Sequence, residues 1–136
     1  MGGPPAGRVR AVDDAVRVRR VYDQPEKDDG TRVLVDRLWP RGVSKEHAAV
    51  DVWAKEAAPS NELRAWYHQD PAGRYDDFVD RYRTELGDSA HREAVDELAD
   101  LVRGSGAVTL ITAVKDVGTS QVPVLAEYLE HATRRR

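Results

Sequence analysis

The chain has 136 residues, with Lys+Arg 21 against Asp+Glu 24, a formal net charge of −3 and no cysteine. This length suits one domain with one hydrophobic core, the charge disfavours a globally basic nucleic-acid binder, and the missing cysteine excludes disulfides and thiolate chemistry. No run of about 18 apolar residues occurs, so no membrane partner is expected, and the composition suits a cytoplasmic protein.

Residues 1–14 open with Met1-Gly2-Gly3-Pro4-Pro5, carry no apolar signal core and are expected to form a disordered leader. A single α/β domain is expected over 15–132, and a frayed basic tail over 133–136. Ala15 to Tyr22 sets Val16, Val18 and Val21 among Arg17, Arg19 and Arg20, which predicts a strand with one wet face. Thr31 to Leu38 contains the continuous run Val33-Leu34-Val35, which suits a strand buried on both faces. Trp39-Pro40-Arg41-Gly42 ends it, since proline removes a ladder donor and glycine permits a turn. Ser44 can cap a short helix over Lys45 to Ala49, and Val50 to Lys55 reads as a short extended piece.

Ser60 caps the next predicted helix, with Leu63, Trp66 and Tyr67 on one face. Asp70-Pro71 breaks it and starts another, in which Tyr75, Phe78, Val79, Tyr82 and Leu86 keep helical spacing up to Gly87. Asp88 or Ser89 caps a third, with Val95, Leu98, Leu101 and Val102 inward, ending at Gly104-Ser105-Gly106. Ala107 to Val114 is a second buried strand candidate, Lys115 to Ser120 a loop, and Gln121 to His131 a last helix facing in through Val122, Leu125 and Leu129. Buried strands joined through helices predict an α/β fold with a small, mainly parallel sheet and helices packed on it. Ligands in such sheets sit beyond the carboxyl ends of the strands, which selects Asp36 to Lys45 and Lys115 to Gln121.

In the first segment Arg37 and Arg41 offer planar forks of donors for phosphate or carboxylate, and Trp39 a flat stacking face. The competing reading is structural: Asp36 paired with an arginine, and Trp39 plugging the edge of the core. In the second segment Lys115 adds charge, Gly118 permits close approach, and Thr119 and Ser120 add hydroxyls at a helix start. The competing reading there is a plain helix cap by Thr119 or Ser120. Arg64 and Arg81, on the central helices, are candidates to point back to a shared site. Asp36 and Asp116 are the candidate acid/base groups if a reaction is catalysed.

No cofactor is expected. The G-x-x-x-x-G-K-[ST] spacing is absent, and Thr112-Ala113-Val114-Lys115 lacks the companion motifs of a kinase. His47, His68, His91 and His131 form no metal spacing and are expected on the surface. The aromatic residues Trp66, Tyr67, Tyr75, Phe78 and Tyr82 are expected to be core.

The stretch Asp29-Gly30-Thr31-Arg32-Val33-Leu34-Val35-Asp36-Arg37-Leu38-Trp39-Pro40-Arg41-Gly42 resembles the YeaO-like branch of domain-of-unknown-function family 488. Lys45-Glu46, Trp53, Lys55-Glu56, Ala58-Pro59-Ser60, Leu63-Arg64-Ala65-Trp66, Phe78, Arg81-Tyr82, Glu85-Leu86 and the Thr109 to Asp116 strand end match as well. The resemblance runs from about Val18 to Leu129 and implies a compact bacterial α/β protein without an assigned activity. Two departures stand out: Gln69 where that family often has histidine, and Val117-Gly118-Thr119-Ser120-Gln121 where it usually has an asparagine-containing loop. The cysteine-histidine-arginine loop of the broader family has no counterpart in a chain without cysteine.

The expected function is the binding of a small anionic, phosphate-bearing ligand at the strand ends. The alternatives are a nucleic-acid-binding or regulatory module, resting on Arg17, Arg19, Arg20 and the arginine tail, and a protein-interaction domain without catalysis.

Overall fold

The computed structural model describes residues 16–105 and 107–134, so the expected leader and the last tail residues lie outside the described residues. The elements run β1 (Val16–Arg20), β2 (Thr31–Leu34), α1 (Lys45–Ala48), β3 (Val52–Trp53), α2 (Asn61–His68), α3 (Pro71–Leu86), α4 (Ser89–Ser105), β4 (Val108–Thr112) and α5 (Gln121–Arg134). The strands form one sheet in the order β1-β4-β2-β3, and every pairing is parallel. Among the described residues four strands and five α-helices thus make one mixed α/β domain, as the strand-and-helix order predicts.

Alternation along the strands divides the side chains between two faces. Val16, Val33, Val35, Val108 and Leu110 join the main core, with Phe78, Tyr82, Leu86, Leu98, Leu125 and Leu129 from the helices. Leu34 and Ile111 point the other way, into a smaller cluster with Val21 and Ala48, closed by Trp39, Val43 and Val50. Helices therefore cover one face, while the chain from Trp39 through α1 covers the other. The buried strands β2 and β4 are the apolar runs because both their faces are covered.

The helix starts follow capping rules. Ser44, Ser60 and Asp70 each accept from the backbone N–H three residues on, and Asp88 does the same for His91. α1 stops at Ala48, one residue short of expectation, because Ala49 takes a left-handed conformation with φ 53°. β2 ends at Leu34 rather than Leu38, although Val35 N still donates to Ile111 O at 3.0 Å. β4 is shorter than expected at both ends, and α5 continues past His131 to Arg134. Among the described residues no helix is long and apolar enough to cross a membrane.

The arginines of β1 do not project into solvent as a free cationic row. Arg17 pairs with Asp28 at 3.3 Å and Arg19 with Glu26 at 3.4 Å. Arg32 of β2 pairs with Asp29. The carboxylates of Glu26, Asp28 and Asp29 lie within 4.8 Å of one another, and each has its own arginine. The turn at 26–29 is thus fastened to the sheet by charge.

Candidate functional site

A crevice of about 460 Å³ opens beyond the carboxyl ends of β2 and β4, where parallel sheets place ligands. Asp36 to Leu38 leave β2 along one side, and Ala113 to Gln121 carry the chain from β4 into α5 along the other. Ala58 and Pro59, the α2 residues Arg64, Tyr67 and His68, and Pro71 and Phe78 of α3 complete the lining. The volume lies in the range of small-molecule sites.

Asp36 sits at the back and is fully engaged. Its carboxylate accepts from Thr112 Oγ1 at 2.6 Å, Gln121 Nε2 at 3.1 Å and the Ala113 amide at 2.8 Å. Among the described residues no arginine pairs with it, contrary to the structural alternative read from the sequence; Asp36 instead ties the end of β2 to the end of β4. Arg37 is engaged too, donating to Ala58 O at 2.9 Å, to Pro59 O at 3.2 Å and to Glu56 at 3.3 Å. It lines the crevice by holding up its wall.

That wall is the segment Ala57 to Ser60, and side chains from several elements fix it. The Tyr82 hydroxyl donates to Ala57 O at 2.6 Å, and Glu85 accepts from the Ser60 amide at 2.9 Å and from its hydroxyl. His91 stands 2.9 Å from both Ala58 O and Asp88 Oδ1 through its two ring nitrogens. His91 is 4% exposed, which corrects the expectation that all four histidines lie on the surface. The ring is the first cause holding the Asp88 carboxyl below the usual carboxylate range.

Tyr67 and Tyr75 close the far side by donating to Thr119 O at 2.7 Å and Ser120 O at 3.1 Å. Burial, reinforced by the Asp116 charge, pushes the Tyr67 hydroxyl up against the opposing effect of its hydrogen bond. Tyr67 stacks on Phe78 with ring centroids 4.3 Å apart. Ser120 is buried; its hydroxyl donates to Val117 O at 2.7 Å and accepts from the Val122 amide at 3.2 Å, a cap for α5.

Of the residues singled out in the sequence, the crevice brings together Asp36, Arg37, Arg64, Lys115, Asp116, Thr119 and Ser120. Trp39, Arg41 and Gly118 are not in its lining. Trp39 packs on the opposite sheet face, donates to Val43 O at 2.6 Å and meets Trp53 edge-on at 5.4 Å. Arg41 is exposed, and a side chain added at Gly118 would meet nothing within 4 Å. Arg81 does not reach the crevice either; its guanidinium lies 4.0 Å from the Trp66 ring centroid. The sequence reading missed Tyr67 and His68 as lining residues, while Gln121 falls in the selected Lys115 to Gln121 segment without being singled out. His68 carried a signal, since it falls one helical turn after Arg64 and shares its face.

A four-stranded parallel sheet with a crevice at its carboxyl edge, between strand ends and helices, defines a small α/β protein. By sequence the chain belongs to the family described as the inactive DUF488-N3 subclade, whose model matches residues 15–136. It is 50% identical over 114 residues to the uncharacterized protein Rv3073c of Mycobacterium tuberculosis, covering 84% of this chain and 92% of that protein. The uncharacterized protein YeaO of Escherichia coli is 40% identical over 114 residues, covering 84% of this chain and 96% of YeaO. No solved structure matches the chain significantly.

Proposed function

We propose that the crevice binds a small anionic, phosphate-bearing ligand, and that it does so without turning it over. One observation carries this reading: Arg64 and Lys115 line the same crevice, and among the described residues neither has a carboxylate partner. Arg64 donates to the neutral amide of Asn61, at 3.3 Å. A cation left without a counter-charge at a concave surface attracts anions, and the guanidinium fork suits phosphate oxygens.

Binding without turnover fits the state of Asp36, whose carboxylate is held by three structural donors that tie the ends of β2 and β4 together. The family's description as inactive points the same way. Two of the arginines behind the nucleic-acid alternative, Arg17 and Arg19, each pair with an acid, Asp28 and Glu26.

Amide NMR of the full chain titrated with inorganic phosphate tests this. Saturable shifts confined to 36–38, 64–68 and 113–121, lost in the Arg64→Ala, Lys115→Ala double variant, are expected. No shift at millimolar phosphate or at millimolar nucleotide overturns it.

A further inference from the structure

Resting on the anion-site reading above, we infer that the ligand is a phosphomonoester whose alcohol part is apolar or aromatic and carries a hydroxyl or amino donor, a class that includes the nucleoside monophosphates. The polar groups of the crevice divide into two sets. Asp36, Arg37, Tyr67 and Ser120 are all held by protein partners. The side chains of Arg64, His68, Lys115 and Asp116 are not tied to any charged partner among the described residues.

The second set contains both signs. Arg64 and His68 lie one turn apart on α2, on one wall, and Lys115 and Asp116 follow β4 on the other. A bare anion satisfies the cations but gains nothing from the Asp116 carboxylate, which would repel it. A ligand that places an anionic group toward Arg64 and Lys115 and a donor toward Asp116 uses both. The remaining lining says what joins the two ends. Leu38, Pro59, Phe78 and Val114 present carbon to the crevice. Leu38 is 65% exposed, a large aliphatic side chain left in solvent at the crevice edge. An apolar body laid against Leu38 and Pro59 removes that surface from water, which favours the bound state. A phosphate ion leaves it wet.

The test compares inorganic phosphate, phenyl phosphate and a nucleoside 5′-monophosphate by the same amide shifts. Both esters are expected to bind at least tenfold tighter than inorganic phosphate. Leu38→Ser, a change at an exposed position, should lower the ratio of ester to phosphate affinity several-fold. Asp116→Asn should lower the ratio of nucleoside monophosphate to phenyl phosphate. If phosphate binds and the esters bind no tighter, the inference fails and the anion site stands. If neither phosphate nor ester shifts any crevice amide, both fail together.

Discussion

Arg32 meets Asp29 on the sheet face opposite the helices, with Nη1 2.6 Å from Oδ2 and side chains only 5% and 1% exposed. The guanidinium also donates to Ala48 O and Ala49 O, each at 3.0 Å, which draws the end of α1 down onto β2. Thr109 of β4 donates to Asp29 O at 2.7 Å. The pair therefore joins the turn before β2, the central strand β4 and the short helix. Removing one partner of a buried ion pair leaves an uncompensated charge and costs about 3–5 kcal/mol. Arg32→Met should lose that much in urea unfolding, and Asp29→Leu added to it should restore part. A loss under about 1 kcal/mol would show that water reaches the carboxylate.

Acid should weaken the same region. Burial works against the charge on Asp29, but the Glu26 amide and the Arg32 guanidinium outweigh it and hold the carboxyl below the usual range. Asp88 is lowered by His91. A carboxyl lowered in the folded state contributes its stability in full above its unfolded value, near about 3.9, and loses it as pH falls through the folded value. The urea midpoint should drop most steeply below about pH 4. Asp29→Asn, weaker at neutral pH, should drop less over the same window.

Two glycines share a positive φ and differ in surroundings. Gly30 has φ 68°, and a Cβ there would clash with Ala107 O; Gly42 has φ 78° and nothing within 4 Å. Gly42→Ala should lose about 1–2 kcal/mol, the strain of a left-handed backbone alone. Gly30→Ala should lose that and more, because Thr31 N donates to the same Ala107 O at 3.2 Å and the contact cannot open without breaking the start of β2 from β4. Equal thermal midpoints for the two variants would contradict this.

Arg37 and Arg41 look alike in the sequence and should behave differently. Arg37→Ala strips donors from Ala58 O and Pro59 O and should cost about 1.5–3 kcal/mol, the range for hydrogen bonds to a charged group. Arg41→Ala, at an exposed position outside the crevice, should stay within about 0.5 kcal/mol and leave phosphate binding unchanged. Comparable destabilisation in both would mean that the wall at 57–60 does not depend on Arg37.

The helices were legible because their information is local. The stripe of Tyr75, Phe78, Tyr82 and Leu86 and the caps at Ser60 and Asp70 lie within a few residues of what they determine. The crevice was legible in outline, through the rule that parallel strands present ligands at their carboxyl ends. What escaped was partner choice across the chain. Asp36 finds Thr112 and Gln121, His91 finds Ala58, and Arg17 finds Asp28. Charge type alone cannot say which arginine meets an acid and which meets solvent. Trp39 is the exception: its Val43 partner is four residues away, and a tryptophan plugging the edge of the core is one of the two readings its segment allows.

β4 is the hinge of a different question, which is when this chain can fold. β1 pairs with β4 and with no other strand, residues 16–20 against 108–112, and β2 uses β4 as its second neighbour. During synthesis the first strand emerges long before its partner. The hairpin-like start available to antiparallel proteins does not exist here, and the early closures belong to α2, α3 and α4. Non-local pairing of this kind slows folding and leaves strands unpaired in the interim. β1 meets that wait with three arginines along its length, and sheet and crevice close together once β4 and then α5 have left the ribosome.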